Sequence, residues 1–362
     1  MGRWVISGIL LLWCPWLCWG ESWPVRVLLL EGISTVDVEG AGPTQLEEIG
    51  RPVMRTLPPG RGVRVAWEGR DGTKFRLRAA TDLLWVNGRP YRGSVEIWNT
   101  PGGLQVVNQV GLEDYVRGVM KVEANPAWPM EALKAQAVVA RTYALYERLV
   151  GPEGVFHLQS TTASQVYRGV SGEDPRSNMA VEATRGVVLT YQGLIIPAFY
   201  HAASGGRTED AVEVWEKKYP FIIGVEDPFS TVAPHHEWQV AISRSEIRQA
   251  LADSGWRVGQ IRGIETAGQT RSGRISMVRV LHDDGVLQID GRGLRQILGP
   301  NRIRSTRFMS YPQDGEIVFA GQGWGHGVGM SQWGAKRMAE LDHDFSGILK
   351  HYFPLAALGR LP

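Results

Sequence analysis

One acidic residue stands at a point in the chain where a carboxyl group can be sheltered from water. Glu123 lies in the segment MKVEANPAWP, where a helical segment gives way to a proline-enforced turn. Its apolar neighbours are Val122, Pro126 and Trp128. Desolvation by such neighbours raises the pKa of a carboxyl group, which then keeps its proton near neutral pH. Glu123 is therefore a candidate general acid, although these residues alone fit a capping or solvated glutamate as well.

Three polar residues interrupt the Ala- and Val-rich segment that follows. Lys134, Gln136 and Arg141 stand within MEALKAQAVVARTYALYERLV, which has helical character. Residues two positions apart on a helix point to different sides, so Lys134 and Gln136 cannot both face one pocket by simple geometry. Lys134 and Arg141 can share a face, and Lys134 is a candidate for binding substrate oxygens. A buried ion pair or carbonyl contact is the alternative for Arg141, and a structural role is the alternative for Gln136.

The histidines of the chain lack the spacing of metal ligands. None of the eight forms an HExxH motif or a cluster with zinc spacing, so we predict no metal site. His201 directly precedes AASGGRT and is predicted to line a loop at the end of a strand, with a core or surface position as the alternative. The neighbouring pair His235 and His236 is predicted to be a solvated loop.

A glycine-rich run, GQGWGHGVGMSQWGA, lies near the end of the chain. Its alternating glycines let the backbone approach a ligand or another segment closely. Trp324 and His326 offer an aromatic face and a polar ring that suit a sugar, while tight packing of the last strand would explain the glycines equally well. No Lys-Ser or Lys-Thr pair closes the run, and the chain ends too soon for a dinucleotide-binding unit. We therefore expect no nucleotide.

Composition and motif context exclude several other classes of protein. Lys and Arg number 39 against 37 Asp and Glu, a balance that argues against nucleic-acid binding. The two cysteines, Cys14 and Cys18, lie in the leader, so the mature chain would have no thiol nucleophile, disulfide or thiolate metal ligand. The SGG segment at Ser204 is not the GxSxG elbow of a serine hydrolase.

The first twenty residues are typical of an export signal. Arg3 and the amino terminus supply positive charge, and the run from Trp4 to Leu12 is almost wholly apolar. Small residues at the positions that a signal peptidase reads predict cleavage before Glu21. The apolar core is shorter than the roughly 20 residues that cross a bilayer comfortably. We predict a signal peptide at 1–20, with an uncleaved membrane anchor as the alternative, and a protein of the periplasm or cell-wall space.

The elements that must position these residues indicate a mixed α+β protein. Residues 21–110 are rich in short β-branched and aromatic runs, punctuated by turns such as Arg70-Asp71-Gly72. The proline-containing segment 45–62 is predicted to be an exposed excursion. Residues 111–362 form the predicted core domain, which includes an α/β second lobe at about 238–310. We predict two mixed α/β lobes with short strands around a central buried helix and an active-site cleft.

Five separated segments carry a family resemblance. In chain order they are GLEDYVRGVMKVEANPAWPMEALKAQAVVARTYAL, TTASQVYRGV, AVEATRGVVLTY, AFYHAASGGRTED and GQGWGHGVGMSQWGA. Together they resemble the stage II sporulation protein D and LytB amidase-enhancer family (SpoIID/LytB domain). The resemblance implies a lytic transglycosylase that acts on peptidoglycan glycan strands stripped of their stem peptides.

The same resemblance implies roles for individual residues. It places the essential glutamate of the family on Glu123. The substrate-binding residues that it implies are Lys134, Gln136, Arg141, Tyr200, His201, Ser204 and His326. Some members bind zinc with a cysteine and histidines ahead of TTxxQVY, but the segment here has His157 and no cysteine. We therefore expect neither a structural zinc nor another cofactor.

The resemblance also implies a mechanism and leaves two rivals. Glu123 would protonate the glycosidic oxygen and then accept the proton of the sugar's own C6 hydroxyl, which yields a 1,6-anhydro-N-acetylmuramic end. The first rival is a non-catalytic wall-binding protein that activates an N-acetylmuramoyl-L-alanine amidase. The second is a metal-assisted hydrolase. The expected partners are glycan strands and, for the first rival, the amidase.

Overall fold

The computed structural model describes residues 23–361 apart from 53, 70–71, 73, 152–153, 216–218 and 235. The predicted signal peptide at 1–20, with both cysteines, lies outside the described residues, as do His235 and the first two residues of the Arg70-Asp71-Gly72 turn. Within the described residues, no helix is long and apolar enough to cross a membrane.

Strands predominate in the first part of the chain and helices follow. The strands up to the first helix are β1 (Pro24–Ile33), β2 (Thr35–Gly40), β3 (Thr44–Glu48), β4 (Met54–Leu57), β5 (Val63–Ala66), β6 (Lys74–Val86), β7 (Arg89–Thr100) and β8 (Gly103–Gly111). The next elements are α1 (Leu112–Glu123), α2 (Met130–Val150), β9 (Leu158–Gln159), α3 (Pro175–Ala183), β10 (Val187–Tyr191), β11 (Leu194–Ile195), β12 (Tyr200–His201) and α4 (Ala211–Val214).

Strands and helices alternate in the rest of the chain. These elements are β13 (Glu237–Ser243), α5 (Arg244–Asp253), β14 (Ile261–Gln269), β15 (Ile275–His282), β16 (Gly285–Asp290), α6 (Gly291–Leu298), β17 (Phe308–Gln313), β18 (Glu316–Gln322), β19 (Met330–Ser331), α7 (Gln332–Glu340), α8 (Phe345–Tyr352) and β20 (Ala357–Arg360). The mixture of helices with several sheets confirms the predicted α+β class. Neither α8 nor β20 was predicted from the sequence.

The N-terminal strands form a largely antiparallel sheet in the order β4-β3-β6-β7-β8-β1-β9, with β2 and β5 attached beside β6. The expectation that 45–62 is an exposed excursion is wrong in part, because β3 and β4 pair there as a hairpin on the sheet edge. Leu46 of β3 packs against the main core, while Pro52, Pro58 and Pro59 lie outside the strands. The prolines of this segment therefore occupy positions where no hydrogen bond between strands is lost.

Helix α2 lies between two hydrophobic clusters, as expected for a central buried helix. Leu133, Ala137 and Ala144 pack into the cluster of the N-terminal sheet and α1. Ala135 and Val138, on other sides, pack into a cluster built by β10, α7 and α8. The small alanine side chains allow this close approach on several faces at once. The division of the chain at residue 110 stays a prediction.

The segment from β13 to β18 has a hydrophobic cluster of its own, and we refer to it as the second lobe. The predicted lobe bounds of about 238–310 stay a prediction. Its described strands make the sheets β13-β18-β17 and β14-β15-β16, against which α5 and α6 pack. Ser243 and Glu246 form a capping box that fixes the start of α5. After β18 the glycine-rich run returns to the first body, where Met330 and Ser331 pair in parallel with Tyr200 and His201. This return brings the two bodies together along a cleft.

Candidate functional site

Glu123 is the last residue of α1, and the local sequence explains why the helix ends there. Ala124 adopts an extended conformation, and Pro126 and Pro129 prevent α1 and α2 from joining. Val119 and Met120, one turn earlier, are fully buried and anchor the end of α1 to the core. The glutamate is thus held by a rigid element at the start of a sharp change in chain direction.

A cavity of about 500 Å3 opens beside this carboxyl group. Its described lining residues are Glu123, Tyr143, Glu147, Thr162, Ala163, Ser164, Phe199, Tyr200, Trp215, Tyr219 and His326. We call it the Glu123 cavity. Its walls come from α1, α2, the loop before α3, the region around β12 and the glycine-rich run. The structure therefore brings together three of the residues proposed from the sequence, namely Glu123, Tyr200 and His326.

A chain of hydrogen bonds fixes the carboxylate of Glu123. The backbone N–H of Val166 donates to its Oε1 at 2.9 Å. The Tyr200 hydroxyl hydrogen-bonds the carboxylate and accepts from Gln165 Nε2 at 3.1 Å. Gln165 Oε1 in turn accepts from the buried Tyr115 hydroxyl at 3.0 Å. The direction of donation along this chain aims the Tyr200 proton at Glu123.

Burial raises the pKa of Glu123 above its ordinary value. The hydrogen bonds from Val166, Tyr200 and Gln332 act in the opposite direction, since they stabilise the anion, but burial is the larger effect. Of the apolar neighbours expected from the sequence, Val122 does not provide this shelter, because it is 45% exposed. Because of this raised pKa, the carboxyl group of Glu123 keeps its proton to a higher pH than that of an exposed glutamate does.

Gln136 is connected to Glu123 through hydrogen bonds of Gln332. Gln332 Nε2 donates to the backbone carbonyl of Glu123 at 2.8 Å and to Gln136 Oε1 at 3.3 Å. Gln136 is buried, and its Nε2 has no hydrogen-bond partner among the described residues. Gln136 thus supports the glutamate through Gln332, consistent with the structural alternative considered for it. Gln332, in the glycine-rich motif, was not predicted as a site residue.

His326, on the cavity wall, contacts His201, with ring centroids 5.5 Å apart and ring planes tilted by 58°. His326 Nδ1 accepts from the N–H of Val328 at 3.0 Å, and the backbone of Tyr200 hydrogen-bonds the ring as well. Burial lowers the pKa of His326 to about 4, so the ring is neutral. Its hydrogen-bonding capacity is used within the protein, and it therefore offers the cavity a ring face.

His201 is buried more deeply than the predicted position on the wall of a loop would need. It is 4% exposed, its Nδ1 lies 3.1 Å from the Val328 carbonyl, and burial lowers its pKa well below the ordinary value. It is not among the described residues that line the Glu123 cavity. His201 therefore packs against His326 and helps to position it, without lining the cavity itself.

Besides Gln136 and His201, three further predicted substrate-binding residues do not line the Glu123 cavity. Lys134 is ion-paired with Glu131 at 2.7 Å on the side of α2 near α8. Arg141 has no exposed surface and forms a bidentate ion pair with Glu113, which agrees with the alternative of a buried ion pair considered for it. Ser204 is fully buried and donates to Asp227 at 2.7 Å. Each of the three side chains thus already has a polar partner within the protein.

Sequence reasoning missed most of the cavity wall. Phe199, Trp215 and Tyr219 supply aromatic surface, and Phe199 and Trp215 stack at 4.2 Å between ring centroids. The aromatic residues between positions 199 and 221 were the available signal. Glu147 and Tyr143, four positions apart on α2, also line the wall, and burial together with the Glu147 charge raises the pKa of Tyr143 well above its ordinary value.

A second cavity of about 690 Å3 continues the cleft toward the second lobe. We call it the lobe cavity. It shares Thr162, Trp215 and His326 with the Glu123 cavity, so the two form one elongated groove. Aromatic rings and a carboxyl group with a raised pKa thus lie along one elongated groove.

Comparisons with known proteins agree with the motifs. A family model described as stage II sporulation protein (SpoIID) matches residues 100–191, and one described as a domain of unknown function (DUF8618) matches residues 216–329. The chain is 32% identical over 280 residues to the stage II sporulation protein D of Bacillus amyloliquefaciens, covering 72% of this chain and 77% of that protein.

Two further relatives match comparable lengths of the chain. An uncharacterized protein of Brachyspira hyodysenteriae is 36% identical over 285 residues, covering 78% of this chain and 75% of that protein. The amidase enhancer of Bacillus subtilis is 30% identical over 287 residues, covering 66% of this chain but only 39% of that protein. The chain belongs to the stage II sporulation protein D family.

Proposed function

We propose that the chain is an exported peptidoglycan lytic transglycosylase that cleaves glycan strands lacking stem peptides. The observation that carries this proposal is the half-buried carboxyl group of Glu123, with its raised pKa, on the wall of a groove lined by aromatic rings. Family membership supports a cell-wall-related role. The apolar run from Trp4 to Leu12, after the positive charge of Arg3, supports export.

In the proposed first step, protonated Glu123 gives its proton to the glycosidic oxygen that leaves N-acetylmuramic acid. The bond between that oxygen and the anomeric carbon breaks, and positive charge develops on the sugar. General-acid catalysis of this kind contributes roughly 10²–10⁴-fold in rate. Hydrogen bonds from Val166 and Tyr200 then stabilise the carboxylate that forms.

In the second step, the charged Glu123 takes the proton of the C6 hydroxyl of the same sugar while that oxygen attacks the anomeric carbon. The product is a 1,6-anhydro end, and no water is consumed. One carboxyl group suffices because the nucleophile is part of the substrate and already close to the reacting carbon. Phe199, Trp215 and Tyr219 would pack against sugar rings on either side of the scissile bond.

A second carboxylate in the same cavity makes hydrolysis the competing chemistry. Glu147 lines the Glu123 cavity, and glycoside hydrolases use two carboxyl groups. The Glu147 charge raises the pKa of Tyr143, which lies one turn away on the same helix. We assign Glu147 to the binding wall and not to proton transfer.

Purified full-length protein incubated with peptide-free glycan strands tests the proposal. The expected result is soluble fragments with anhydro ends, detected by mass spectrometry, and fewer fragments from native sacculi that keep their stem peptides. Absence of fragments from both substrates would contradict the proposed reaction.

The same assay addresses a second candidate function, activation of a cell-wall amidase. The relative whose name is amidase enhancer favours this candidate. A non-catalytic wall binder would sediment with the glycan, release no fragments and increase the rate at which an added N-acetylmuramoyl-L-alanine amidase removes peptides. Cleavage by the chain alone would instead favour the transglycosylase.

Replacing Tyr200 by Phe is expected to shift the pH dependence of cleavage. The Tyr200 hydroxyl lowers the pKa of Glu123 by stabilising its anion, whereas burial raises this pKa. When the hydroxyl is removed, the effect of burial is opposed by fewer hydrogen bonds, and the pKa of Glu123 rises further. Because the acid must start protonated, activity falls as the pH rises through this pKa. We expect the alkaline limb of the Tyr200→Phe profile to lie at higher pH than that of the wild type, measured as initial rates.

Tyr143→Phe is the matched control. It removes a hydroxyl from the same cavity without removing one of the hydrogen bonds that lower the Glu123 pKa. Its alkaline limb should coincide with that of the wild type. An alkaline limb that stays in place in Tyr200→Phe would contradict the assigned hydrogen bond.

A further inference from the structure

The lobe cavity carries arginine side chains with unused donors. Arg292 and Arg295, three positions apart on α6, line it, and Arg292 is exposed with no hydrogen bond or ion pair to any described residue. Arg295 donates from Nε to the Ile303 carbonyl at 2.8 Å and from Nη2 to that of Pro300 at 3.4 Å. These contacts fix the Arg295 guanidinium and leave its Nη1 available.

A third arginine lies deeper in the same wall. Arg274 is 1% exposed, and Nη2 donates to the Ser204 carbonyl at 2.7 Å. Its Nε and Nη1 have no hydrogen-bond partner among the described residues. A Cβ at Gly327 would lie 2.3 Å from Nε, so the glycine-rich run passes directly over this guanidinium. A buried cation with unsatisfied donors is costly unless negative charge approaches it.

The charge of Glu209 partly offsets the fall in the Arg274 pKa that burial causes, but no ion pair joins the described acidic residues of the lobe cavity to these arginines. Glu209 accepts from the Ser272 hydroxyl at 2.7 Å and from Thr270 at 2.5 Å. Asp290 caps α6 by accepting from the Gly293 N–H at 2.8 Å. Glu213 is exposed on the cavity rim and has no ion pair with a described residue. Two of the three carboxylates are therefore occupied by neutral donors.

The positive charge of the arginines extends to His326, one of the three described residues that both cavities share. After burial, Arg274 is the largest contributor that lowers the pKa of His326, and Arg295 and Arg292 add to it. The three guanidinium groups thus act on the point at which the lobe cavity meets the Glu123 cavity. A polymer that runs along the groove from Glu123 would enter this positive region.

We propose that the lobe cavity is a subsite for an anionic group of the wall polymer, bound by Arg292 and Arg295 and supported by the charge of Arg274. The inference rests on the proposed function, since it takes the glycan in the Glu123 cavity to continue into the lobe. The anion is either a lactyl carboxylate that removal of a stem peptide leaves free, or a phosphodiester of a polymer attached to the strand. This subsite would give residues 216–329, which the model of the domain of unknown function matches, a role in recognising negatively charged groups of the polymer.

Binding measurements test the subsite independently of cleavage. The full-length chain with Glu123→Gln is titrated with peptide-free strands, either with free carboxylates or with carboxylates converted to neutral methylamides. We expect about tenfold tighter binding of the carboxylate strands. Adding Arg292→Gln should remove this difference, whereas Arg292→Lys should keep part of it. Arg248→Gln, an exposed arginine of α5 outside the lobe cavity, is the control of equal charge change.

The outcomes separate the two anions and the two proposals. Preference for carboxylate strands that depends on Arg292 assigns the lactyl carboxylate. Equal affinity for both strand types, with Arg292-dependent binding of a phosphodiester wall polymer, assigns the phosphate. Binding that is indifferent to Arg292 with every polymer overturns the subsite. Failure of the proposed function is seen elsewhere, as absence of fragments from wild-type protein, and leaves this binding result unaffected.

Discussion

Glu123→Gln is expected to lower the rate of glycan cleavage by roughly 10²–10⁴-fold, the contribution of a general acid. The amide has the shape of the carboxyl group and keeps an oxygen for the N–H of Val166, which donates at 2.9 Å in the wild type. It has no acidic proton to give to the glycosidic oxygen. Initial rates of fragment release from peptide-free strands measure the loss, and sedimentation with the same strands should show that binding persists.

Glu147→Gln is the matched control for this variant. It makes the same chemical change in the same cavity, on α2 instead of α1. If proton transfer belongs to Glu123 alone, Glu147→Gln should retain most of the wild-type rate. A wild-type rate in Glu123→Gln would remove Glu123 from the mechanism, and equal losses in both variants would indicate a two-carboxyl hydrolase.

The second large effect is expected on stability. Arg141→Met should lower the free energy of unfolding by about 3–5 kcal/mol, the cost of removing one partner of a buried ion pair. Arg141 Nε and Nη2 bind the two oxygens of Glu113 at 2.8 and 2.7 Å, and further donors bind the carbonyls of Val181 and Val187. Loss of Arg141 leaves a mostly buried carboxylate and these carbonyls without their cation.

Urea unfolding monitored by circular dichroism measures this effect. Arg185→Met is the control, because Arg185 pairs with Glu182 at the surface and such pairs contribute about 0–1 kcal/mol. A loss below about 1 kcal/mol in Arg141→Met would contradict the structural role. Adding Glu113→Leu to Arg141→Met should recover part of the loss, since no buried charge then remains unpaired.

The elements with strong periodicity could be predicted from the sequence, and those that depend on distant partners could not. The Ala-rich pattern of α2 is a local signal, and this helix occurs as expected. β3 and β4 form because Leu46 reaches the core of a sheet whose other strands lie farther along the chain. Proline content suggested a loop there because the pairing partner is not visible in the local sequence.

The site shows the same division between local and long-range information. Glu123 was identified from its position before a proline turn and from the family motif. Arg141 and Ser204 also lie in motif segments, yet both are buried in ion pairs and hydrogen bonds, so motif membership alone does not say which residue faces a substrate. Glu147 and Trp215 reach the cavity from separate elements, which only the assembled fold brings together.

The most direct measurement of the central claim is digestion of peptide-free glycan strands by the wild-type protein in water enriched in heavy oxygen. If Glu123 transfers a proton to the leaving oxygen and activates the sugar's own C6 hydroxyl, the new ends are 1,6-anhydro and contain no heavy oxygen. New reducing ends that carry heavy oxygen would show that water is the nucleophile, and would contradict the transglycosylase.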